Sequence, residues 1–498
     1  MKFSFLSYPL LWMLFCMAIF FSCTEKTEWI ETTMDQPWVK QSSLKQTTSK
    51  GEIFDVKILT TDEQQTIDGF GTCFNELGWT SLSLLKNEDR EKVMKELFAP
   101  GIGANLSVCR MPVGANDFSL DWYSYNETEG DFEMKNFSIA EDEKTLIPFI
   151  KNAQKYNPNI KLWASPWCPP SWMKYNKNYA SRSSILNQNS VRQKDHKYWN
   201  NLPADKEGHE GTDMFIQEDK YFNSYALYFS KFIDAYKANG INIFAVMPQN
   251  EFNSAQVFPS CCWTAAGLNK FIGSYLGPAM KEKNVDVYFG TMERPTELLV
   301  DTILQNPKSS KYVKGVGFQW AGKKAIPGIH KRYPDLILFQ TEQECGNGKN
   351  DWKGAMHSWD LMKHYLNNGV SVYDYWNTSL IEGGISHWGW AQNSLVIVDA
   401  KTNTFKYSPE YYIMKHVSHF VLNGAKKLDT GGKYKDVMAF KNQDNSISVI
   451  IANQNSENKS ICIVVDNKSY SAVLKSNSIN TMVFNKYETS LRVLGNSK

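Results

Sequence analysis

The chain has little of what marks a nucleic-acid, metal or dinucleotide protein. Its 54 Lys and Arg meet 52 Asp and Glu, a net charge of +2, so there is no basic surplus to displace counterions from a phosphate backbone. Nucleic acid is excluded as a partner on that ground. The 8 His and 9 Cys form no CxxC and no Cys/His metal spacing, which removes zinc and dithiol motifs. Gly69-Phe70-Gly71 lacks the third glycine and the following acid of a pyrophosphate-binding turn. No metal and no cofactor is implied. Repeats and low-complexity tracts are missing, and 30 Gly with 18 Pro in 498 residues fit neither a collagen-like nor a disordered chain.

Long hydrophobic runs are missing too, except at the start. One lysine precedes an apolar run from Tyr8 to Phe21, short for a spanning helix and right for a signal peptide over 1–22. Phe21-Ser22-Cys23 resembles the end of a bacterial lipoprotein signal, with Cys23 acylated. An ordinary secretory signal or an uncleaved anchor are the alternatives. The expected product is an exported, lipid-anchored cell-envelope protein, outer-membrane or periplasmic, touching the membrane through Cys23. Residues 23–51 read as a polar tether with little to bury. Seven cysteines remain beyond Cys16 and Cys23, an odd number; most suit small buried positions. Cys345 with Cys261 or Cys262 is the one pairing that loop positions suggest.

What is abundant is aromatic: 16 Trp, 24 Tyr and 28 Phe. Many must be core, but indole faces also stack on the C–H faces of pyranoses. From residue 66 onward, eight β-rich runs alternate with amphipathic helical stretches. The runs are 66–74, 105–113, 161–166, 241–247, 285–291, 313–320, 336–341 and 370–376. The clearest helix, 218–238, returns Tyr221, Phe222, Tyr225, Phe229, Phe232 and Tyr236 every three or four residues. Eight strand–helix units predict an α/β fold, a (β/α)8 TIM barrel over 66–405. Short strands with Asn, Asp and Ser turns then predict a side β-sandwich domain over 406–498, with 52–65 adding an N-terminal strand.

Working residues of such a barrel lie at the C-terminal ends of its strands. Those ends carry Arg110, then Asp117; Ser165-Pro166-Trp167; Gln249-Asn250-Glu251; Glu293-Arg294; Gln319-Trp320; Thr341-Glu342; and Tyr375-Trp376-Asn377. Carboxylates, amides and indoles without a Ser/His/Asp order point to glycoside chemistry, which needs two carboxyls about the scissile bond. Glu251 and Glu342 stand three βα units apart and so face each other across the mouth. Asn250, directly before Glu251, suits the sugar 2-hydroxyl. The plain structural alternative is a pair of rim ion pairs with Arg110, Arg294 or a lysine. Glu344 is a rival to Glu342. Trp163, Trp172, Glu76, Glu293, His387 and Trp390 are further residues near the expected pocket.

Asp68-Gly-Phe-Gly71, Arg110-Met-Pro112 with Asp117-Phe-Ser119, Ala164-Ser-Pro-Trp167 with Pro170-Ser-Trp172-Met-Lys174, Asn250-Glu251, Thr341-Glu342 and Tyr375-Trp376-Asn377 together resemble glycoside hydrolase family 30. That family includes glucosylceramidases and microbial β-1,6-glucanases. The resemblance runs from about residue 52 to the C-terminus. It implies a retaining glycosidase with a barrel and side sandwich, Glu251 as acid/base and Glu342 as nucleophile. Asp117, Trp167, Asn250 and Trp376 would line the sugar subsite, and Arg110 would hold Glu342 ionised. Two departures stand out. The usual Asn-Glu-Pro is here Asn250-Glu251-Phe252, and a His-Trp typical of glucosylceramidases is here Gln319-Trp320. The expected partner is a carbohydrate or glycolipid substrate. A non-catalytic glycan-binding lipoprotein on the same scaffold is the rival reading.

Overall fold

The computed structural model describes residues 21–47, 54–186, 195, 199–386 and 388–491. Eight parallel strands close into a barrel in sequence order: β1 (Gly69–Cys73), β2 (Val108–Pro112), β3 (Lys161–Ser165), β4 (Ile243–Val246), β5 (Asp286–Met292), β6 (Val313–Gln319), β7 (Ile337–Glu342) and β8 (Val370–Asn377). Each lies in one of the runs expected from the sequence, to within a residue or two at the ends. The lower barrel is filled by inward side chains from alternating positions: Val108, Trp163, Ala245, Tyr288, Phe339 and Val372. Two residues further along their strands, Arg110, Ser165 and Thr341 hold the next layer, which turns polar. Gly71 has no alternative there, since a Cβ would sit 1.5 Å from the Val108 carbonyl oxygen. Helix Asp219–Ala238 covers the outside of the barrel with Phe222, Tyr225, Phe229, Phe232 and Tyr236 buried.

After β8 the chain makes a small sheet of Ser379–Ile381, Val396–Asp399 and Thr404–Tyr407, which sequence pattern did not announce. Helix Pro409–Ser418 follows, capped by the Ser408 hydroxyl accepting from the Tyr411 N–H at 3.2 Å. It leads into a ten-stranded sheet that includes strand Val56–Thr66 and the C-terminal strands from Lys426 onward. The sheet folds over its own core: Tyr470 and Phe484, on strands far apart in the hydrogen-bonded order, bring their rings to 4.9 Å.

The expected polar tether is corrected. Strand Phe21–Thr33 pairs antiparallel along the last strand, Ser478–Leu491, Val39–Lys40 pairs back onto it, and Lys45–Thr47 pairs with Lys468–Leu474. Its few apolar residues are placed where they count. Ile30 packs with Phe420 and Val483, and Leu44 joins the sandwich core. Glu31 is buried but meets Lys475 Nζ at 2.7 Å and the Gln41 amide at 3.1 Å. The buried His416 imidazole bridges the hydroxyls of Thr32 and Thr481, both at 2.8 Å. Burial lowers its pKa to about 3, so it stays neutral and ties the segment to helix Pro409–Ser418.

The suggested bridge between Cys345 and Cys261 or Cys262 is also corrected: all three thiols are free and buried. Cys345 Sγ donates to its own strand-end neighbour, the Gln343 carbonyl, at 3.3 Å. Cys261 and Cys262 pack into the apolar core.

If residues 27–47 are part of the folded sandwich, Ile30→Ala should cost about 2–5 kcal/mol of stability. Thermal or denaturant unfolding of the whole chain checks this; a mere tether would give no change.

Candidate active site

A cavity of about 330 Å³ opens at the C-terminal end of the barrel strands, lined by Asp117, Trp167, Asn250, Glu251, Trp320 and Glu342, together with residues from longer loops. Of the nine residues expected from the sequence to act on or hold the substrate, six thus line one cavity. The other three, Arg110, Gln319 and Trp376, lie directly behind it.

Arg110 is wholly buried at the end of β2. Its Nη1 donates to Glu342 Oε2 at 2.8 Å and the Thr341 carbonyl at 3.1 Å. Its Nη2 donates to Asn250 Oδ1 at 2.7 Å and Ser165 Oγ at 2.9 Å. The guanidinium lies 4.3 Å from the Trp167 ring centre, with Trp163 and Trp376 at 4.9 and 5.4 Å. A buried cation on four strand ends holds the whole polar layer in register.

The Gln319 amide nitrogen, at the end of β6, faces three acceptors: Glu251 Oε1 at 3.2 Å, Glu342 Oε2 at 3.3 Å and Asn250 Oδ1 at 3.3 Å. With two protons it cannot satisfy all three at once. Glu251 also accepts from the Gln256 amide at 3.1 Å. Its backbone adopts φ +44°, a left-handed conformation uncommon outside glycine. The Thr291 hydroxyl accepts the Glu251 N–H at 2.9 Å and helps to fix that turn. Trp320, at φ +47°, is turned the same way. Burial raises both carboxyls above the ordinary range. For Glu342 the rise reaches about 7, with Arg110 pulling down and Glu251 pushing up.

Other expectations sort themselves by position. Trp376 is not an open stacking face: it is buried one layer back, stacked on Trp167 at 5.2 Å, its indole N–H without a partner. Asp117 lines the cavity, and its Oδ1 is buried with no partner. Glu344 lies beyond the end of β7, paired with Lys323 and with His357 at 3.1 Å, which hold its pKa low. It does not line the cavity. Glu76 sits behind the site, accepting from Leu120 N at 2.9 Å and Thr145 Oγ1 at 3.0 Å, so it pins the loop that carries Asp117. Trp163 fills the barrel and Trp172 the loop core. Trp390 lines the cavity, whereas His387 lies outside the described residues. Glu293 lines it as a fourth carboxyl, beside Asp117, Glu251 and Glu342. Sequence reasoning missed Gln256, Phe258 and Gln392, which come from irregular loops. Only the nearness of Gln256 to Glu251 in the chain hinted at any of them.

Against known proteins, residues 67–202 and 203–421 match the Glycosyl hydrolase family 30 TIM-barrel domain, and 424–482 match the Glycosyl hydrolase family 30 beta sandwich domain. The chain belongs to glycoside hydrolase family 30. It is therefore a glycosidase built on the barrel and side sandwich described above. This hydrolase is 28% identical over 428 residues to the lysosomal acid glucosylceramidase of Mus musculus, covering 80% of this chain and 77% of the other. It is 26% identical over 447 residues to the endo-1,6-beta-D-glucanase neg1 of Aspergillus fumigatus, covering 84% and 85%. Its fold superposes on that of SrfJ from Salmonella typhimurium with a TM-score of 0.81, at 21% identity over 93% of this chain and all of the other.

Removing the central cation of this family 30 hydrolase has two separable effects. Arg110→Met leaves buried Glu342 without its charged partner and Asn250 Oδ1 with only the Gln319 amide and the Thr291 hydroxyl as donors, so stability should fall by about 3–5 kcal/mol. With the lowering influence of Arg110 gone, the Glu342 pKa rises, and the acid limb of the kcat/KM profile should move to higher pH. Unfolding curves and pH–rate profiles read the two effects.

Proposed function

We propose that this hydrolase cleaves β-glucosidic bonds with retention of configuration, by double displacement with Glu342 as nucleophile and Glu251 as acid/base. The observation that carries the reading is the single Gln319 nitrogen within hydrogen-bond reach of both carboxylates. Their facing oxygens are separated by no more than two hydrogen-bond lengths. A retaining pair stands roughly 5–5.5 Å apart, and an inverting pair needs roughly 6.5–9.5 Å to admit a water.

The charges divide between the two residues by their neighbours. Arg110 rests on Glu342, so the negative charge sits there, while Glu251 has only amide partners and keeps the proton. Arg110 and Gln319 both hold Glu342 Oε2, which leaves Oε1 for the anomeric carbon. As the C1–O bond to Glu342 forms, the glycosidic C–O bond breaks and its oxygen takes the Glu251 proton. Glu251, now ionised, then draws a proton from water, whose oxygen attacks C1 and frees Glu342. Asn250 Oδ1 is committed to Arg110 and the Thr291 hydroxyl, so its N–H₂ is the group offered to the sugar 2-hydroxyl. The free Asp117 Oδ1 accepts a further sugar hydroxyl, and Trp167, stiffened by Trp376 behind it, supplies the apolar face. Glucosylceramide and β-1,6-linked glucan are the two substrate classes in view, from the relatives' names. We also read the protein as exported and lipid-anchored through Cys23, on the strength of the apolar run and the Phe21-Ser22-Cys23 ending.

Glu342→Gln should lower turnover of an aryl β-glucoside by at least about 10⁴-fold while the unfolding curve is kept. Glu251→Gln should lose about 10²–10⁴-fold on poor leaving groups, while on an activated aryl β-glucoside azide should restore turnover as a β-glycosyl azide. Substantial activity in Glu342→Gln, or an α-azide product, refutes the reading. Sugar binding by a wild type inert towards every β-glucoside favours the binding-protein alternative. Activity should fall as pH drops and Glu342 gains a proton, and again as pH rises and Glu251 loses its own. Glu344→Gln should leave that profile in place.

A further inference from the structure

We propose that the leaving group of this hydrolase is itself a sugar, seated in a polar chamber that continues from the catalytic cavity and is read by Asn253 and Glu293. The inference rests on the hydrolase reading above and extends it to the other side of the scissile bond.

A second cavity, of about 470 Å³, shares Ser254, Gln256 and Arg294 with the first. Arg182, Glu207, His209 and Glu210 form its outer wall, and among the described residues no aliphatic side chain larger than Ala255 lines it. Arg294 spans the two spaces, with its Nε on Glu210 at 2.9 Å and its Nη1 3.5 Å from Glu293. Gln256, which holds the Glu251 carboxyl, stands on the shared wall. The chamber therefore opens beside the residue that protonates the leaving oxygen.

Two buried oxygens near Ser254 have no hydrogen-bond partner: Oδ1 of Asn253, a residue that lines the second chamber, and Oε2 of Glu293, a residue that lines the first. Their residues are only 5% and 3% exposed. Glu293 Oε1 is already occupied, by the Asn253 N–H at 3.1 Å and the Ser254 hydroxyl at 2.9 Å. Buried acceptors of this kind are ordinarily satisfied, and a pyranose ring brings hydroxyl donors at the right density. Burial and the neighbouring Glu251 push Glu293 up to about 8, so near neutral pH it carries a proton and can also donate. A leaving group with hydrocarbon chains would instead strip water from these groups and return no hydrogen bond.

The chamber is also prebuilt. Buried Lys174 donates to the carbonyls of Asn178 and Ser260, both at 2.7 Å, and of Tyr179 and Ala180 at 3.0 and 3.2 Å. The backbone N–H groups of Ser181 and Arg182 donate to the Gln256 carbonyl at 3.1 and 2.9 Å. The Arg182 wall is thus fastened to the Gln256 wall before any ligand arrives, which lowers the ordering cost of binding.

The test compares kcat/KM for three substrates: an aryl β-glucoside, soluble β-1,6-linked gluco-oligosaccharides and detergent-dispersed glucosylceramide. The wild type should prefer the oligosaccharides to the glycolipid by 100-fold or more. Asn253→Leu should lower the oligosaccharide-to-aryl-glucoside ratio at least tenfold, mainly through KM. Arg182→Ala, at an exposed position that folding does not need, should lower it in the same direction. Preference for glucosylceramide, or an unchanged ratio in both variants, overturns the proposal while aryl-glucoside hydrolysis keeps the catalytic reading intact. A wild type inert on all three substrates overturns both.

Discussion

A guanidinium sealed inside the barrel must be surrounded by acceptors or it could not be there at all. Arg110 meets that demand with Glu342, the Thr341 carbonyl, Asn250 and Ser165, while three indoles close over its faces. The demand runs both ways. The cation keeps Glu342 ionised in surroundings that would otherwise leave it protonated, and it turns the Asn250 amide so that its N–H₂ is left for a ligand. Trp167 packs against both the guanidinium and Trp376. The polar layer above the apolar barrel floor is in this sense one object. Its geometry is fixed by the strand ends, and its charge by one side chain.

Much of this was legible in the sequence because barrel geometry is periodic. A strand–helix unit repeated eight times, with side chains alternating inward, makes the residue at each strand end a site residue by position alone. Glu251, Glu342, Asn250, Trp320 and Arg110 could be named that way. Gln319 could be named as well, but not its task. An amide at that point bridges the two carboxylates, and spacing does not reveal a three-way contact. Trp376 shows the opposite failure. Its position at a strand end suggested an open stacking face, yet the barrel is narrow enough that Trp167 takes that place and Trp376 backs it.

The N-terminal segment escaped for another reason. Residues 27–47 carry only a few apolar side chains among many polar ones, and local composition reads that as a tether. What folds them is pairing with a strand some 450 residues later, where ladder hydrogen bonds are supplied by the sheet edge and Ile30 and Leu44 suffice to cover it. Loop residues such as Gln256, Phe258 and Gln392 escaped because no period governs them. Their placement follows from contacts like those of Lys174, which only the folded chain displays.

The choice between Glu342 and Glu344 shows where pattern ends and structure begins. The two are two residues apart, so strand alternation alone would aim both the same way. β7 stops at Glu342, however, and the chain turns before Glu344, which finds Lys323 and His357 outside the cavity. A carboxylate held low by a lysine in partial contact with water is a stabilising ion pair. One held near neutrality by burial, and kept charged by a single internal cation, is poised to react. The same contrast separates Glu293 from the rest of the acidic residues at the mouth. It is buried, Arg294 reaches only its Oε1, at 3.5 Å, and its Oε2 has no partner.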